Sequence, residues 1–592
     1  MNTKNKILGY IIWIVYSNIL IYTSFYYNWK VDLIQRDYLI WILILIIAFI
    51  TIVWMKINKI YFYTSKLRLF SGGAVLIAGL SVSFFYFGKS FLYEETGYWM
   101  VSDNIKYFLL LSVFVFIYVI FSMRIFDLVK GDITTRADKK TMSYNYHYII
   151  LFIIQTSILG IYFYALNPGN MSYDTYNQVS QLKGIIPYNT WHPIGHTLFV
   201  GLLLKIWNNY AVITIFQIVF FAAVTSAFYT FLLKHNMKWQ IIYFSAIIMS
   251  ALPSTGINVV TQWKDIPFTV GLLWGTLILL KMSIEEDYFR KITNAVEFNL
   301  CMLTISLFRF NGILAFIAML IYGFVYVRLG SGIQKRNYWA ATSCILIIFL
   351  LINTVIPKKL NAVPNPPGMK LRPVYQGYCA VYISGGKEDL DNKSRELIET
   401  VCTAEQMKEF YNPYFADTIS TNTPKFLNNL SKISTTDALK MYIQSFMAHP
   451  GVILGDKFNL SVTMWSVTHD RFSYNNAYTT VIQKEMIEEF GVRRAENKFT
   501  DIVKKFAEYT LIKNYLLNTL VWRTGFYLSL ELILFLYLMY KKDKRLSLFI
   551  PLLCNALIVF LTMPAQDYRY LWFIFLLFPF LALACSVEMN EN

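Results

Sequence analysis

The stretch Asn167–His196 combines residue types suited to acid–base chemistry with a position directly after a long apolar segment. Its ionisable and polar members are Asp174, Gln178, Lys183, His192 and His196. Ionisable groups at a bilayer edge are costly to keep there, so this loop is a candidate functional site. A carboxylate such as Asp174 could act as a general base, or it could simply cap a short helix that begins near Ser172.

Three further polar motifs lie at the ends of predicted membrane spans, on the same side as this loop. They are 261–267, which contains Lys264-Asp265; Arg309-Phe310-Asn311-Gly312; and 564–570, which contains Gln566-Asp567-Tyr568-Arg569-Tyr570. A Lys–Asp pair at a membrane edge is often an anchor, and aromatic residues there fit an interface belt. Arginine, however, suits phosphate geometry. Together the motifs predict one pocket that could bind a lipid phosphate and deprotonate an acceptor hydroxyl.

The composition predicts which elements position these motifs. Of 592 residues, 56% are hydrophobic and only 15% are charged, whereas soluble domains carry about a quarter charged residues. Apolar runs long enough to cross a bilayer recur, which predicts an all-α polytopic membrane protein with about 14 transmembrane helices. The spans are predicted at 7–28, 38–56, 70–88, 105–123, 148–166, 211–233, 239–252, 266–281, 295–308, 311–327, 338–356, 526–540, 546–562 and 568–586.

The net charge of +17 reflects membrane orientation better than nucleic-acid binding. Lys and Arg gather in alternate short loops, for example at 541–545, which places those loops in the cytoplasm. No basic stripe with interleaved aromatics is visible, so no nucleic-acid partner is expected. This topology requires that the apolar stretch 193–207 does not cross the membrane, and we expect it to lie at the outer interface.

The predicted spans divide the chain into four parts. Residues 1–140 form accessory transmembrane helices, and 141–356 form a transmembrane core that contains the loop 167–196. Residues 357–525 form a mainly α, extracytoplasmic soluble domain, and 526–592 form C-terminal transmembrane helices. A disulfide between Cys379 and Cys402 is compatible with an extracytoplasmic domain, although spacing alone does not establish it.

The pattern of motifs resembles the GT-C superfamily of polytopic glycosyltransferases, which includes protein O-mannosyltransferases and the lipid A aminoarabinose transferase. The resemblance covers about residues 148–330, through Asp174, His192-Pro193, Lys264-Asp265 and Arg309-Asn311. The predicted soluble domain also resembles an uncharacterised bacterial membrane-protein family of that superfamily, through Tyr375-Gln376, the acidic helix after Lys387, and Tyr411-Asn412-Pro413. The loop has one Asp rather than Asp-x-Asp, and Ile194 follows His-Pro, so metal dependence stays open.

The resemblance implies sugar transfer from a polyprenyl-phosphate-linked donor to a glycan, glycolipid or protein acceptor. Catalytic roles would fall to Asp174, Asp265 and His192. Substrate or phosphate contacts would fall to Gln178, Lys264, Arg309, Asn311, Arg569 and Tyr568. No cofactor is implied with certainty, although a divalent cation (Mg or Mn) is compatible. We expect a multi-pass protein of a bacterial plasma membrane, with both termini cytoplasmic and the large domain extracytoplasmic.

Two other functions are compatible with the sequence. A cell-surface polysaccharide polymerase or ligase would depend on outer arginines and histidines rather than on the early carboxylate Asp174, and Arg309 and Arg569 are the arginines that would test this. A flippase or transporter of lipid-linked sugars would place polar residues inside broken helices, often in paired halves. The predicted spans contain almost no acidic residues, and no symmetry between halves is visible, which favours the transferase.

Overall fold

The structure, a computed structural model, describes residues 143–465, 474–494 and 496–587, together with residues 122, 123, 126, 127 and 130. In this part of the chain all regular elements are helices, and β-type pairing is limited to isolated bridges. Eight helices are long and apolar enough to cross a membrane, or up to nine if one bent pair is a single span. The described part of the chain is therefore all-helical, and the length and composition of its helices are those of a multi-pass membrane protein.

The eight candidate spans are Tyr144–Leu166, Ala211–Lys234, Asp265–Ile284, Phe310–Val327, Gly332–Lys359, Thr524–Lys541, Lys544–Thr562 and Tyr568–Ser586. Each falls on a predicted span. The predicted spans 7–28, 38–56, 70–88 and 105–123 lie outside the described residues, except for the last two positions of the fourth. The count of about 14 therefore stays a prediction.

The predicted span 239–252 is broken by a proline. Helix Trp239–Ala251 and helix Pro253–Val259 meet at an angle of 63°. Pro253 has no N–H to continue the helical ladder, and its ring forces Leu252 into extended backbone, with ψ of 135°. The chain turns at this break and then runs into the Lys264-Asp265 motif.

Two apolar helices are shorter than the candidate spans. Ile194–Ile206 has 13 residues and Ile292–Phe308 has 17. At 1.5 Å per residue the first reaches only about 20 Å, too short for a ~30 Å hydrocarbon core. A helix of this length is compatible with the outer interface, and its location there stays a prediction.

Helix Asp265–Ile284 occupies the centre of the membrane bundle. Of its apolar window, 89% is buried inside the protein, compared with 17% for the peripheral helix Gly332–Lys359. Asp265 is the first residue of this central helix and is completely buried. The sequence therefore places a carboxylate at the axis of the bundle, where it needs compensating charge.

A separate helical domain follows the helix Gly332–Lys359. Its helices are Arg372–Ile383, Asn392–Val401, Ala404–Phe410, Asp417–Asn422, Phe426–Leu430, Thr435–Ala448 and Pro450–Leu460. They enclose their own apolar core, which contains Cys379 and Cys402. Both cysteines are buried and free, so the structure does not contain the disulfide that the sequence allows.

The C-terminal part of the predicted soluble domain belongs to the membrane bundle. Its helices are Val462–Trp465, Lys484–Phe490, Lys498–Glu508 and Tyr515–Trp522. Val503, Ala507 and Trp522 are buried in the same core as the membrane helices. The domain with an independent core therefore ends near residue 460, not at 525. The longer domain was predicted because Lys498–Glu508 has as many charged as apolar residues, a composition typical of a soluble helix.

Candidate functional site

The loop after helix Tyr144–Leu166 is held in place by close backbone packing. Gly169 has φ of +124°, and a Cβ there would lie 2.2 Å from Thr214 Oγ1 and 2.9 Å from the carbonyl oxygen of Val260. Asn170 forms an isolated parallel bridge with Thr261. The loop thus lies directly beside the segment that carries Lys264.

Asp174 lies in the first turn of helix Tyr173–Leu182 and forms ion pairs with two cations. Lys264 Nζ is 2.8 Å and Arg569 Nη1 is 2.9 Å from the same oxygen, Asp174 Oδ2. Asp174 is not the N-cap of this helix, since Ser172 holds that position. The capping interpretation of Asp174 is therefore wrong, and its second oxygen, Oδ1, accepts no hydrogen bond from a described residue.

Asp265 is paired with a different arginine. Its carboxylate forms an ion pair with Arg309, and Arg569 Nη1 lies 3.9 Å from its Oδ2. Arg309 is the residue between helices Ile292–Phe308 and Phe310–Gly312, so a chain reversal presents its guanidinium to the bundle axis. Arg569 therefore links the carboxylates of Asp174 and Asp265.

Aromatic rings and a third carboxylate fix the orientation of Arg569. Its guanidinium carbon lies 4.8 Å from the ring centroids of both Trp263 and Tyr570. Arg569 Nη2 donates to the Tyr570 hydroxyl at 3.0 Å, and Nε lies 3.4 Å from Asp567 Oδ2. We call Asp174, Lys264, Asp265, Arg309, Asp567 and Arg569 the ion cluster, in which three carboxylates balance three cations.

The charges around Asp174 determine its protonation. Burial alone would raise the pKa of Asp174, but Lys264 and Arg569 outweigh it and hold the pKa well below the usual carboxyl value. Asp174 is therefore an anion, and a weak base as long as both cations contact it.

His192 lies next to the ion cluster as a neutral imidazole. Its side chain is 3% exposed, and its Nδ1 has no hydrogen-bond partner. Burial, reinforced by the positive charge of Lys264, lowers the pKa of His192 to about 3. Few buried polar atoms lack a hydrogen-bond partner, so this ring nitrogen is a candidate contact for a ligand.

Two of the predicted site residues form hydrogen bonds within the protein. The Gln178 amide hydrogen-bonds His196 Nδ1 at 3.0 Å and donates to Thr197 Oγ1 at 3.2 Å, so it holds the loop against helix Ile194–Ile206. Tyr568 is completely buried, and its hydroxyl donates to the carbonyl of Val521 at 3.2 Å. These contacts are made with residues outside the ion cluster, and the assignment of both side chains to substrate contacts stays a prediction.

Most of the other predicted site residues lie close together. The six that belong to or adjoin the ion cluster are Asp174, His192, Lys264, Asp265, Arg309 and Arg569. Asn311 follows Arg309 in the turn, and within the described residues no contact joins its amide to the ion cluster. Trp263, Asp567 and Tyr570 lie in the predicted motifs but had no predicted role in the site. Each adjoins a predicted site residue, and Tyr570 was interpreted as an interface-belt residue.

The carboxylates of the ion cluster do not fit a divalent metal ion. The described residues contain no group of three or more His, Cys, Asp or Glu side chains that could hold one. Asp174 and Asp265 are instead bound to Lys264, Arg309 and Arg569, so a metal ion would sit among positive charges.

The chain matches no protein-family model, no curated protein and no solved structure. Interpretation of the site therefore depends on its own chemistry. That chemistry comprises an anionic base, two arginines and a lysine, and a neutral imidazole, at the ends of membrane helices.

Proposed function

We propose that the protein is an integral-membrane glycosyltransferase. It would transfer a sugar from a polyprenyl-phosphate-linked donor to a cell-surface acceptor on the extracytoplasmic face, with Asp174 as the catalytic carboxylate. The observation that supports this most strongly is the ion cluster, built from separate segments at one end of the bundle. Removing charged groups from water costs several kcal/mol of free energy per ion. A buried ion cluster is therefore better explained by a role in binding or chemistry than by a contribution to stability.

The cations of the ion cluster would bind the donor phosphate. Arg569 and Arg309 offer planar guanidinium groups and Lys264 a point charge, while neighbouring apolar helices suit a polyprenyl tail. In the transfer, the acceptor oxygen bonds to the anomeric carbon as the bond from that carbon to the phosphate oxygen breaks. The electron pair stays on the phosphate, where the cations stabilise the developing charge.

Asp174 Oδ1 would take the proton of the acceptor hydroxyl. In the resting protein Lys264 and Arg569 both contact Oδ2 and keep the carboxylate weakly basic. A donor phosphate that draws these cations away would raise the basicity of Asp174 only once the donor is bound. A positioned base of this kind accelerates a reaction by about 10²–10⁴-fold.

His192 would act by hydrogen bonding rather than by charge. Its neutral ring has an unpartnered Nδ1 beside Asp174 and Lys264. A sugar hydroxyl is a matching partner, since it can donate to the ring nitrogen. This proposal assigns the imidazole to orientation of the sugar.

The test is the exchange Asp174→Asn, assayed by the lipid-linked sugar that accumulates in cells that carry the variant. We expect normal protein levels in the membrane, loss of transfer and accumulation of the donor. Asp437→Asn, which changes a carboxylate paired with Lys393 in the helical domain, is the matched control and should leave transfer unchanged. Full transfer by purified Asp174→Asn would refute the proposal.

A polysaccharide polymerase or ligase is the second candidate, because an arginine, Arg569, is the central residue of the ion cluster and lies within 3.9 Å of all three carboxylates. Such an enzyme would retain activity in Asp174→Asn and lose it in Arg569→Lys, which keeps the charge but loses the planar fork. The glycosyltransferase predicts loss in Asp174→Asn as well. The two variants assayed side by side therefore discriminate between the candidates.

A further inference from the structure

The helix Lys498–Glu508 has its large apolar side chains on the outside. The side chains buried against the bundle are Thr500, Val503, Ala507 and Thr510. The exposed apolar ones are Phe499, Ile502, Phe506 and Tyr509, each 41–58% exposed. A surface helix in water has the opposite arrangement, with its largest apolar side chains turned to the core.

Three parallel stripes run along this helix. The buried stripe follows the spacing i, i+3, i+7, i+10, and the exposed apolar stripe has the same spacing one residue earlier. A third stripe, one residue earlier again, consists of Lys498, Asp501, Lys505 and Glu508, all exposed. One side of the helix thus packs on protein, the next faces outward and is apolar, and the third is charged.

Contacts with the helix Tyr144–Leu166 place these stripes at the end of a membrane span. Thr500 Oγ1 donates to the carbonyl of Ala165 at 2.6 Å, and Asn497 Nδ2 donates to the carbonyl of Tyr164 at 3.1 Å. These bonds satisfy carbonyls in the last turn of the span, which have no partner within the helix. The Phe499 ring packs edge-on against Tyr164, with centroids 5.7 Å apart.

The exposed apolar stripe is therefore continuous with the outward surface of a membrane helix. Ile161 and Tyr164 of that helix are 50% and 60% exposed, as expected for side chains in contact with lipid. Phe499 extends this surface into the stripe. The charged stripe has two lysines and two acids, so it suits the headgroup layer without selecting acidic lipids.

We propose that Lys498–Glu508 and the following turn to Tyr509 form an amphipathic helix that lies in the membrane leaflet next to the ion cluster. Phe499, Ile502, Phe506 and Tyr509 would enter the hydrocarbon edge, and the occupant of the stripe is lipid acyl chain. This proposal concerns the surface of the protein and is independent of the proposed reaction.

The helix also connects the bilayer to the site loop. Arg494 Nη2, four residues before the helix, donates to Asn170 Oδ1 at 2.7 Å and to the carbonyl of Gly169 at 3.2 Å. Met171 pairs with Ile482 of the same segment. A helix anchored in lipid would thus fix the depth of the loop that carries Asp174.

The test is site-directed fluorescence quenching of the full chain in phosphatidylcholine vesicles. Single-cysteine variants Ile502→Cys, Asp501→Cys and Thr400→Cys, with the native cysteines replaced by alanine, carry a nitrobenzoxadiazole label. The quenchers are a nitroxide on the lipid acyl chain and aqueous iodide. Asp501 lies on the charged stripe of the same helix, and Thr400 lies on the exposed surface of the helical domain.

We expect acyl-chain nitroxide to quench the label at 502 several-fold more than at 501 or 400, and iodide to show the reverse order. Equal quenching of 502 and 400 by iodide would overturn the proposal, because the stripe would then face water. Protection of 502 from both quenchers would also overturn it, because a protein surface would then cover the stripe.

Discussion

Arg569 holds the ion cluster together at the level of single residues. Its guanidinium contacts Asp174, lies near Asp265 and Asp567, and is fixed between Trp263 and Tyr570. No single motif of the sequence indicates this convergence, since the partners are distant in the chain. The presence of all four motifs on one side of the membrane could be predicted, but not which acid pairs with which base.

Truncation of Arg569 should destabilise the folded protein. Arg569→Ala leaves carboxylates of the ion cluster buried without their partner, which costs about 3–5 kcal/mol in free energy of unfolding. Arg569→Lys, which keeps the positive charge, should lower the free energy of unfolding by less. Unfolding in detergent micelles measures both, and Arg395→Ala, at the domain surface, should change little. Equal stability of Arg569→Ala and wild type would mean that the ion cluster is solvated.

His192 should make stability depend on pH. Its pKa is lowered from 6.5 to about 3 in the folded state, so between these values only the unfolded chain binds a proton there. The folded protein should thus lose stability as pH falls from 6.5 towards 3, by at most about 1.4 kcal/mol per pH unit from this group. Melting curves at pH 7.5 and 5 should show a smaller loss for His192→Gln than for wild type. If His192→Gln lost as much stability as wild type, His192 would be exposed to water in the folded protein.

The aromatic residues of the last motif could not be assigned to the core or to the site from the sequence alone. Tyr568 and Tyr570 are two positions apart, which turns them about 200° from each other on a helix. One therefore enters the bundle core and the other contacts Arg309 and Arg569. Either could have been the site residue until the rotation of helix Tyr568–Ser586 was known.

At the level of elements, hydropathy predicted the membrane helices well because the 30 Å core demands long apolar runs. It missed the break at Pro253, which occurs inside an apolar run. It also missed that Lys498–Glu508 packs on the bundle, because charged residues lie between the apolar residues along the sequence of this helix. Helix amphipathicity was the signal that could have found it.

Gly169 should be indispensable for the loop that positions Asp174. Gly169→Ala would place a Cβ 2.2 Å from Thr214 Oγ1, in a backbone conformation that disfavours side chains. We therefore expect the free energy of unfolding to fall by about 2 kcal/mol or more. Gly160→Ala, in the helix before the loop and with open space around it, should be neutral or slightly stabilising. Thermal unfolding of the two variants checks this. Equal melting temperatures would show that the loop relaxes freely.

At the level of the whole molecule, the positive-inside bias predicts that the ion cluster faces away from the cytoplasm. Lys183→Cys, in the stretch 167–196 that carries Asp174, should then react with a membrane-impermeant maleimide in intact cells. Lys542→Cys, in the turn at the other end of the bundle, should react only after permeabilisation. Both positions are exposed. The reverse pattern would place the site in the cytoplasm and end the proposed function.

Asp174 and Arg569 are separated by 395 positions in the chain. During synthesis, Asp174 and Asp265 already have Lys264 and Arg309 as partners once residue 309 has left the ribosome. Arg569, which bridges these two ion pairs, is made much later and arrives together with Asp567. A nascent chain stalled before residue 568 should therefore contain two separate ion pairs without the guanidinium that joins them, and we expect proteases to cleave its unfinished bundle more readily than the complete one.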